Sequence, residues 1–246
     1  MMRALLIAFG FLTRIPIPAS VFRGATDTDQ ARALAWYPLV GAVLGALLSA
    51  IAWALHDVQP LLRGALVLVA WVALTGGMHL DGLADSADAW IGGMGDRART
   101  LAIMHDPQCG PAGVTAVVLL LVLELAALTG STPFLIWAVW LAPLLARASV
   151  VGLILTTPYA RPAGLGLVLR RAPRTACVVV ALATCAVTAG AGWPGGWALL
   201  ATCAVTVLWR RAGLRRIGGW TGDTAGALIE LTEVTVLIVT LIAHQP

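Results

Sequence analysis

The chain contains no lysine and little charge of any kind. Asp, Glu, Lys and Arg make up 11% of its 246 residues, against roughly a quarter in soluble domains. A water-soluble fold with a charged, solvated surface is therefore excluded. The four cysteines, Cys109, Cys177, Cys185 and Cys203, form no CxxC pair and no Cys/His cluster, so neither a zinc site nor a disulfide framework is indicated. Three of them sit in apolar runs, where a small buried hydrophobe is the expected role. All 16 basic residues are arginine, scattered between apolar segments. Nucleic-acid binders gather basic residues into a tract, so no nucleic-acid partner is expected. The arginines read instead as topology determinants with some phosphate contacts.

What the chain does have is hydrophobicity: 59% of residues and a mean hydropathy of +0.89. Several runs of about 17 to 23 residues carry at most one charge, the length that crosses ~30 Å of hydrocarbon. The composition predicts an all-α, polytopic membrane bundle forming a single domain over residues 1–246. About seven spans are expected, near 34–55, 64–80, 111–129, 134–156, 175–191, 193–209 and 225–243. The first twenty residues begin like a signal peptide, but Arg14, Pro16 and Pro18 interrupt the pattern. An uncleaved interfacial or re-entrant segment is the expectation there. Arginines concentrate in alternate connecting segments, 14–33, 81–110, 157–174 and 210–224, which the positive-inside rule assigns to the cytoplasm. The C-terminal tail with His244 would then lie outside, and the two most polar regions would share one face of the membrane.

The first of those regions is GGMHLDGLADSADAW, residues 76 to 90. Asp81, Asp85 and Asp88 recur at i, i+4 and i+7 and share a helix face. An acidic face beside a membrane span makes sense chiefly if it holds a divalent cation, and magnesium takes carboxylates, waters and phosphate oxygens. His79 precedes these acids, either bonded to backbone at a helix end or available to a proton. Asp96, Arg97 and Arg99 follow a glycine-rich turn, then His105 and Asp106 precede a Pro/Gly-rich segment.

The second region, RRAGLRRIGGWTGDTAGALIELTE, carries Arg210, Arg211, Arg215 and Arg216, and Asp223 at the start of a helix. Glu230 and Glu233 lie inside the last span, and intramembrane carboxylates are functional candidates by default. At 1.5 Å per residue they sit roughly 8 and 12 Å below the edge of that span, and Arg147 about 13 Å below the same edge. Arg147 is therefore expected to pair with Glu230 or Glu233, as a structural or coupling pair. Glu124 is expected near the opposite end of its span.

HLDGLADSADAW, IMHDPQCGPAGV and GGWTGDTAGALIELTE together closely resemble the cobalamin synthase (adenosylcobinamide-GDP ribazoletransferase) family, as do FLTRIPIP, WYPLVGAVLG and LARASVVGLILTTPYARPAGLG. The likeness runs through nearly the whole chain. It departs where that family commonly has Lys or Arg and this chain has His105, a residue only partly charged near neutral pH. The resemblance implies a magnesium-dependent transferase of the prokaryotic inner membrane, multi-pass, with its active site on the cytoplasmic side. The family joins adenosylcobinamide-GDP to α-ribazole or its 5′-phosphate and releases GMP. Asp81, Asp85 and Asp88 would hold the metal, with Asp106 and Asp223 as further ligands. His79 or one aspartate would accept the hydroxyl proton, and Arg97, Arg99, Arg215, Arg216 and Glu230 would contact substrate. The lipid bilayer is the other partner, and assembly into a homo-oligomer is left open. Two other readings stand. A CDP-alcohol phosphotransferase shares a DG motif but has arginine where this chain has Asp85. A transporter would use Glu230, Glu233 and Arg147 as an ion path, but would gather its acids near the bilayer midplane.

Overall fold

In the computed structural model, which describes residues 1–130 and 132–243, the chain is all helical, with no strand among the described residues. The helices are α1 (Met2–Leu12), α2 (Ala19–Phe22), α3 (Asp27–Ala33), α4 (Tyr37–Ala54), α5 (Pro60–Thr75), α6 (Met78–Gly92), α7 (Arg97–Ile103), α8 (Pro111–Leu128), α9 (Thr132–Thr156), α10 (Leu165–Leu169), α11 (Arg174–Ala189), α12 (Trp193–Ile217) and α13 (Gly222–Ile242). A short 3-10 turn, Leu34–Trp36, joins α3 to α4.

Among the described residues four segments are long and apolar enough to cross a membrane: Asp27–Ala54, Pro111–Leu128, Phe134–Thr156 and Gly222–Ile242. A fifth counts only if α5 and α6 form one span bent by 87°. The expected seven are thus not borne out. The fifth and sixth expected spans fall on α11 and α12. Helix α11 has 16 residues, and α12 runs on into Arg210, Arg211, Arg215 and Arg216. His244 lies outside the described residues. Lipid-facing composition is plain on α8, where Val118, Leu119, Val122 and Leu123 are exposed, as a bundle in hydrocarbon requires.

The core is built on α9. Its backbone at Trp140 and Pro143 lies against Gly41 and Gly45 of α4, where a β-carbon would collide with main-chain atoms. A GxxxG pair lets two helices in lipid touch backbone to backbone. Arg147 of α9 is fully buried, and α13 packs beside it with Leu228, Val236 and Leu237 buried. Helix α1, where an interfacial or re-entrant segment was expected, packs into the bundle: Ile7, Ala8 and Leu12 join a buried cluster with Tyr37, Val150, Ile154, Trp220 and Ile229.

The turn between α5 and α6 decides where the acidic face goes. Gly76 and Gly77 both have φ of +68°, a conformation that a side chain disfavours. Arg14 packs over Gly76, and its backbone N–H donates to the Leu74 carbonyl at 2.7 Å. The expected second span ends at Thr75, and the chain turns through nearly a right angle. Helix α6, 15 residues long with three aspartates, is too short and too acidic to cross a membrane by itself, so we read it as outside the spans.

Candidate active site

Three chain segments converge at one end of the bundle. The first is the start of α6. The second is the start of α13, reached through GGWTGD. Gly218 closes α12 in the left-handed conformation with φ of +74°. Gly219 then passes so close to the Pro158 carbonyl that no side chain would fit. Thr221 caps α13, accepting from Thr224 N–H while the Thr224 hydroxyl accepts from Thr221 N–H. Asp223 falls in the first turn, where the helix dipole favours an anion. The third segment is 158–161, which the sequence reading passed over. Ala160 N–H donates to the Trp220 carbonyl at 2.8 Å, and Trp220 N–H to the Pro158 carbonyl at 3.0 Å.

That short bridge aims Arg161 at the acids. Its guanidinium donates to Asp223 Oδ2 at 2.8 Å, and its other terminal nitrogen lies 3.4 Å from His105 Nδ1. Position 105 therefore sits beside an arginine. Arg161 was legible only as one of several arginines in a connecting segment, and nothing in its spacing marked it.

Helices α6 and α13 touch at Gly82, where a β-carbon would lie 2.7 Å from the Asp223 carbonyl oxygen. Asp81 is exposed at this junction and Asp85 is half-buried one turn on. Asp85 is pushed up to about 6, by desolvation first and then by the charges of Asp81, Asp223 and Asp88, while Arg161 opposes the rise. Asp81 and Asp223 are thus near enough to Asp85 for their charges to act on it. Hard carboxylate oxygens of this kind, held near one another, suit a hard divalent cation.

Asp88 faces the same way but has other work. Its Oδ2 accepts from Gly110 N–H at 2.7 Å and its Oδ1 from Gly113 N–H at 2.9 Å. These are free donors of the first turn of α8, whose N-cap Gly110 has no side chain to satisfy them. Asp88 is the cap of α8 supplied from another helix. Asp106 is exposed and accepts from Gln108 N–H at 3.0 Å, closing its own turn.

The expected phosphate contacts divide as well. Arg97 donates to the carbonyls of Ile217 and Ala160, both at 2.8 Å. Arg216 donates to the Trp90 carbonyl at 2.8 Å and lies over the Trp90 ring. Both tie the ends of helices together, while Arg99 and Arg215 are exposed. His79 is buried, and its Nδ1 has no hydrogen-bond partner among the described residues. Burial, then the charge of Arg147, hold it well below the usual histidine range.

Asp81 and Asp223 open onto a cavity of about 310 Å³. Asp81, His79, Gly82 and Asp223 line one part of it. Apolar and aromatic side chains from α1, α4, α9, α10 and α13 line the rest.

Deeper in the bundle Arg147 pairs with Glu233, as expected. Glu230 does not line the cavity. With Glu233 and Glu124 it forms a buried group whose carboxylate oxygens lie within 4.8 Å of one another. The expected remoteness of Glu124 is overturned. It assumed that spans begin in one plane, whereas α8 begins where Asp88 caps it and α13 begins against Gly82.

The family described as cobalamin-5-phosphate synthase matches residues 4–241. The adenosylcobinamide-GDP ribazoletransferase of Pseudomonas paraeruginosa is 49% identical over 242 residues, covering 96% of this chain and 97% of the relative. Those of Pseudomonas aeruginosa and Stutzerimonas stutzeri are 48% and 50% identical, each covering 96% of this chain and 97% of the relative. No solved structure matches.

Proposed function

Because the chain belongs to the cobalamin-5-phosphate synthase family, we propose that it transfers the cobinamide phosphate of adenosylcobinamide-GDP to α-ribazole or its 5′-phosphate and releases GMP. The activity for which relatives near 49% identity are named supports this reading, and the observation that carries it is that Asp81 and Asp223 line one cavity with Asp85 close enough to feel both charges. Such a reaction is mostly positioning and charge neutralisation.

Asp81, Asp85 and Asp223 are the residues that would hold magnesium, with Asp88 anchoring α8 beside them. The chemistry that the ion would supply there is neutralisation of charge on the diphosphate and its leaving group. Arg161 holds Asp223 in place and keeps one cation near the phosphates. Arg99 and Arg215, exposed at this end, are free to meet the outer phosphate. A histidine held as low as His79 accepts a proton poorly, so a carboxylate takes the hydroxyl proton and His79 orients. We place the site at the cytoplasmic face of the inner membrane, on the strength of the arginine distribution.

The test is GMP release by purified protein supplied with both substrates. Asp81→Asn should abolish magnesium-dependent release while the variant still inserts and keeps its melting behaviour. Normal turnover in that variant removes the metal assignment.

A further inference from the structure

We infer that the 310 Å³ cavity receives the aromatic base of the acceptor nucleoside, so that the sugar hydroxyl emerges between Asp81 and Asp223. This rests on the transferase reading above. It adds which substrate enters the bundle and which side chains select it.

The cavity's walls set the chemistry. Phe11 of α1 stacks with Tyr37 of α4, ring centroids 6.2 Å apart and planes 23° from parallel. Tyr159 lies against Trp220, centroids 4.9 Å apart and tilted by 58°. All four line the cavity, and Val150, Ile154, Leu165, Leu169 and Ile229 complete it. Flat aromatic rings gain most from such surroundings, in stacked or edge-on contact.

Size and polarity then discriminate among the groups that the two substrates bring. Ligand pockets run from about 300 to 1,000 Å³, and 310 Å³ is far too small for a corrinoid macrocycle. Guanine would fit by size. Its hydrogen-bonding edge, however, carries several donors and acceptors, and those turned toward Ile154, Leu169 and Ile229 rather than toward the cavity's few polar groups would go unmet at a cost of about 2–7 kcal/mol each. A dimethylbenzimidazole presents one unsubstituted ring nitrogen, an acceptor, and two methyl groups. One donor satisfies it, and Tyr37, Tyr159 and Trp220 each carry one. The Trp220 indole N–H is buried without a partner among the described residues.

The cavity is also built to be rigid. Gly166 lies so close under the Tyr159 ring that a β-carbon there would overlap it. The bridge between 158–160 and Trp220 fixes the second aromatic wall, and the same strip of chain delivers Arg161 to Asp223. Seating the base and placing the phosphate-binding acids are therefore one mechanical event.

The experiment is steady-state kinetics on the full-length protein, varying α-ribazole and adenosylcobinamide-GDP separately. Ile154→Phe, which fills the cavity, should raise KM for α-ribazole at least tenfold and leave KM for adenosylcobinamide-GDP within twofold. Its loss should be smaller for the nucleoside of unsubstituted benzimidazole. Ile154→Ala, which enlarges the cavity, should shift kcat/KM toward the nucleoside of a bulkier naphthimidazole at least tenfold relative to wild type. An unchanged preference in Ile154→Ala overturns the assignment, including when Ile154→Phe fails to fold. So does a KM change confined to adenosylcobinamide-GDP. Absence of GMP release from wild-type protein with every nucleoside would instead sink the transferase reading.

Discussion

Gly82 and Asp223 meet backbone to backbone, with 2.7 Å between the Asp223 carbonyl oxygen and the place a Gly82 β-carbon would occupy. Helix α6 can bring its carboxylates beside Asp223 only because position 82 has no side chain. Gly82→Ala should push the two helices apart at about 1–3 kcal/mol in stability. Misplacing the acids by about 1 Å should cost on the order of a hundredfold in GMP release. The apparent magnesium requirement should rise as well. Wild-type turnover at wild-type magnesium would show that the close contact is dispensable.

Asp88 separates structure from chemistry. Its two bonds to Gly110 and Gly113 predict that Asp88→Ala lowers stability by about 0.5–2 kcal/mol, the range for a lost helix cap. Asp88→Asn should lie in between, since an amide offers one accepting oxygen. Neither variant should change the magnesium concentration for half-maximal rate by more than about twofold. A large increase would return Asp88 to the metal ligands.

Arg161 and Asp223 should behave as one unit. Arg161→Ala and Asp223→Ala are each expected to lower kcat/KM more than tenfold, and the double variant should be little worse than the poorer single one. The non-additivity should fall within about 0.5–3 kcal/mol. Strictly additive losses would mean that the 2.8 Å pair plays no joint part in turnover.

Asp85 sets a dependence on pH. With its carboxyl pushed up to about 6 from an ordinary 3.8, it holds its proton more tightly folded than unfolded. Its contribution to stability is full below about pH 4 and is lost as pH rises through about 6. In chelator, the melting midpoint of wild-type protein should therefore decline between roughly pH 4 and 7. Asp85→Asn should flatten that decline and melt a few degrees higher at pH 7.5, on the order of one kcal/mol. Magnesium should raise the midpoint of wild type only. A variant that melts lower in chelator would contradict the crowding of acids around position 85.

Much of this was readable before any coordinates, for physical reasons. The i, i+4, i+7 spacing of Asp81, Asp85 and Asp88 fixes a shared face wherever the helix goes, and a lone buried Arg147 must find a carboxylate. Span counting went beyond what the helices support at residues 76 and 77, where a hydropathy window averages across two glycines that turn the chain, and again at α11 and α12, one short and the other running on into arginines. Arg161 was missed because its role depends on a hydrogen-bonded bridge to Trp220, about sixty residues away, and no local period records such a contact. Arg97 and Arg216 looked like phosphate ligands because sequence shows charge but not the helix-end carbonyls that consume it. Glu124 was misplaced because depth along one helix says nothing about where its neighbour starts.

The partner that α6 needs is the last helix of the chain. Between Gly82 and Asp223 lie some 140 residues, which a ribosome adding about 5–20 residues per second takes on the order of ten seconds to make. For that interval Asp81, Asp85 and Asp88 repel one another with neither Arg161 nor α13 in place. The nascent protein must keep that strip wet while its other helices enter lipid.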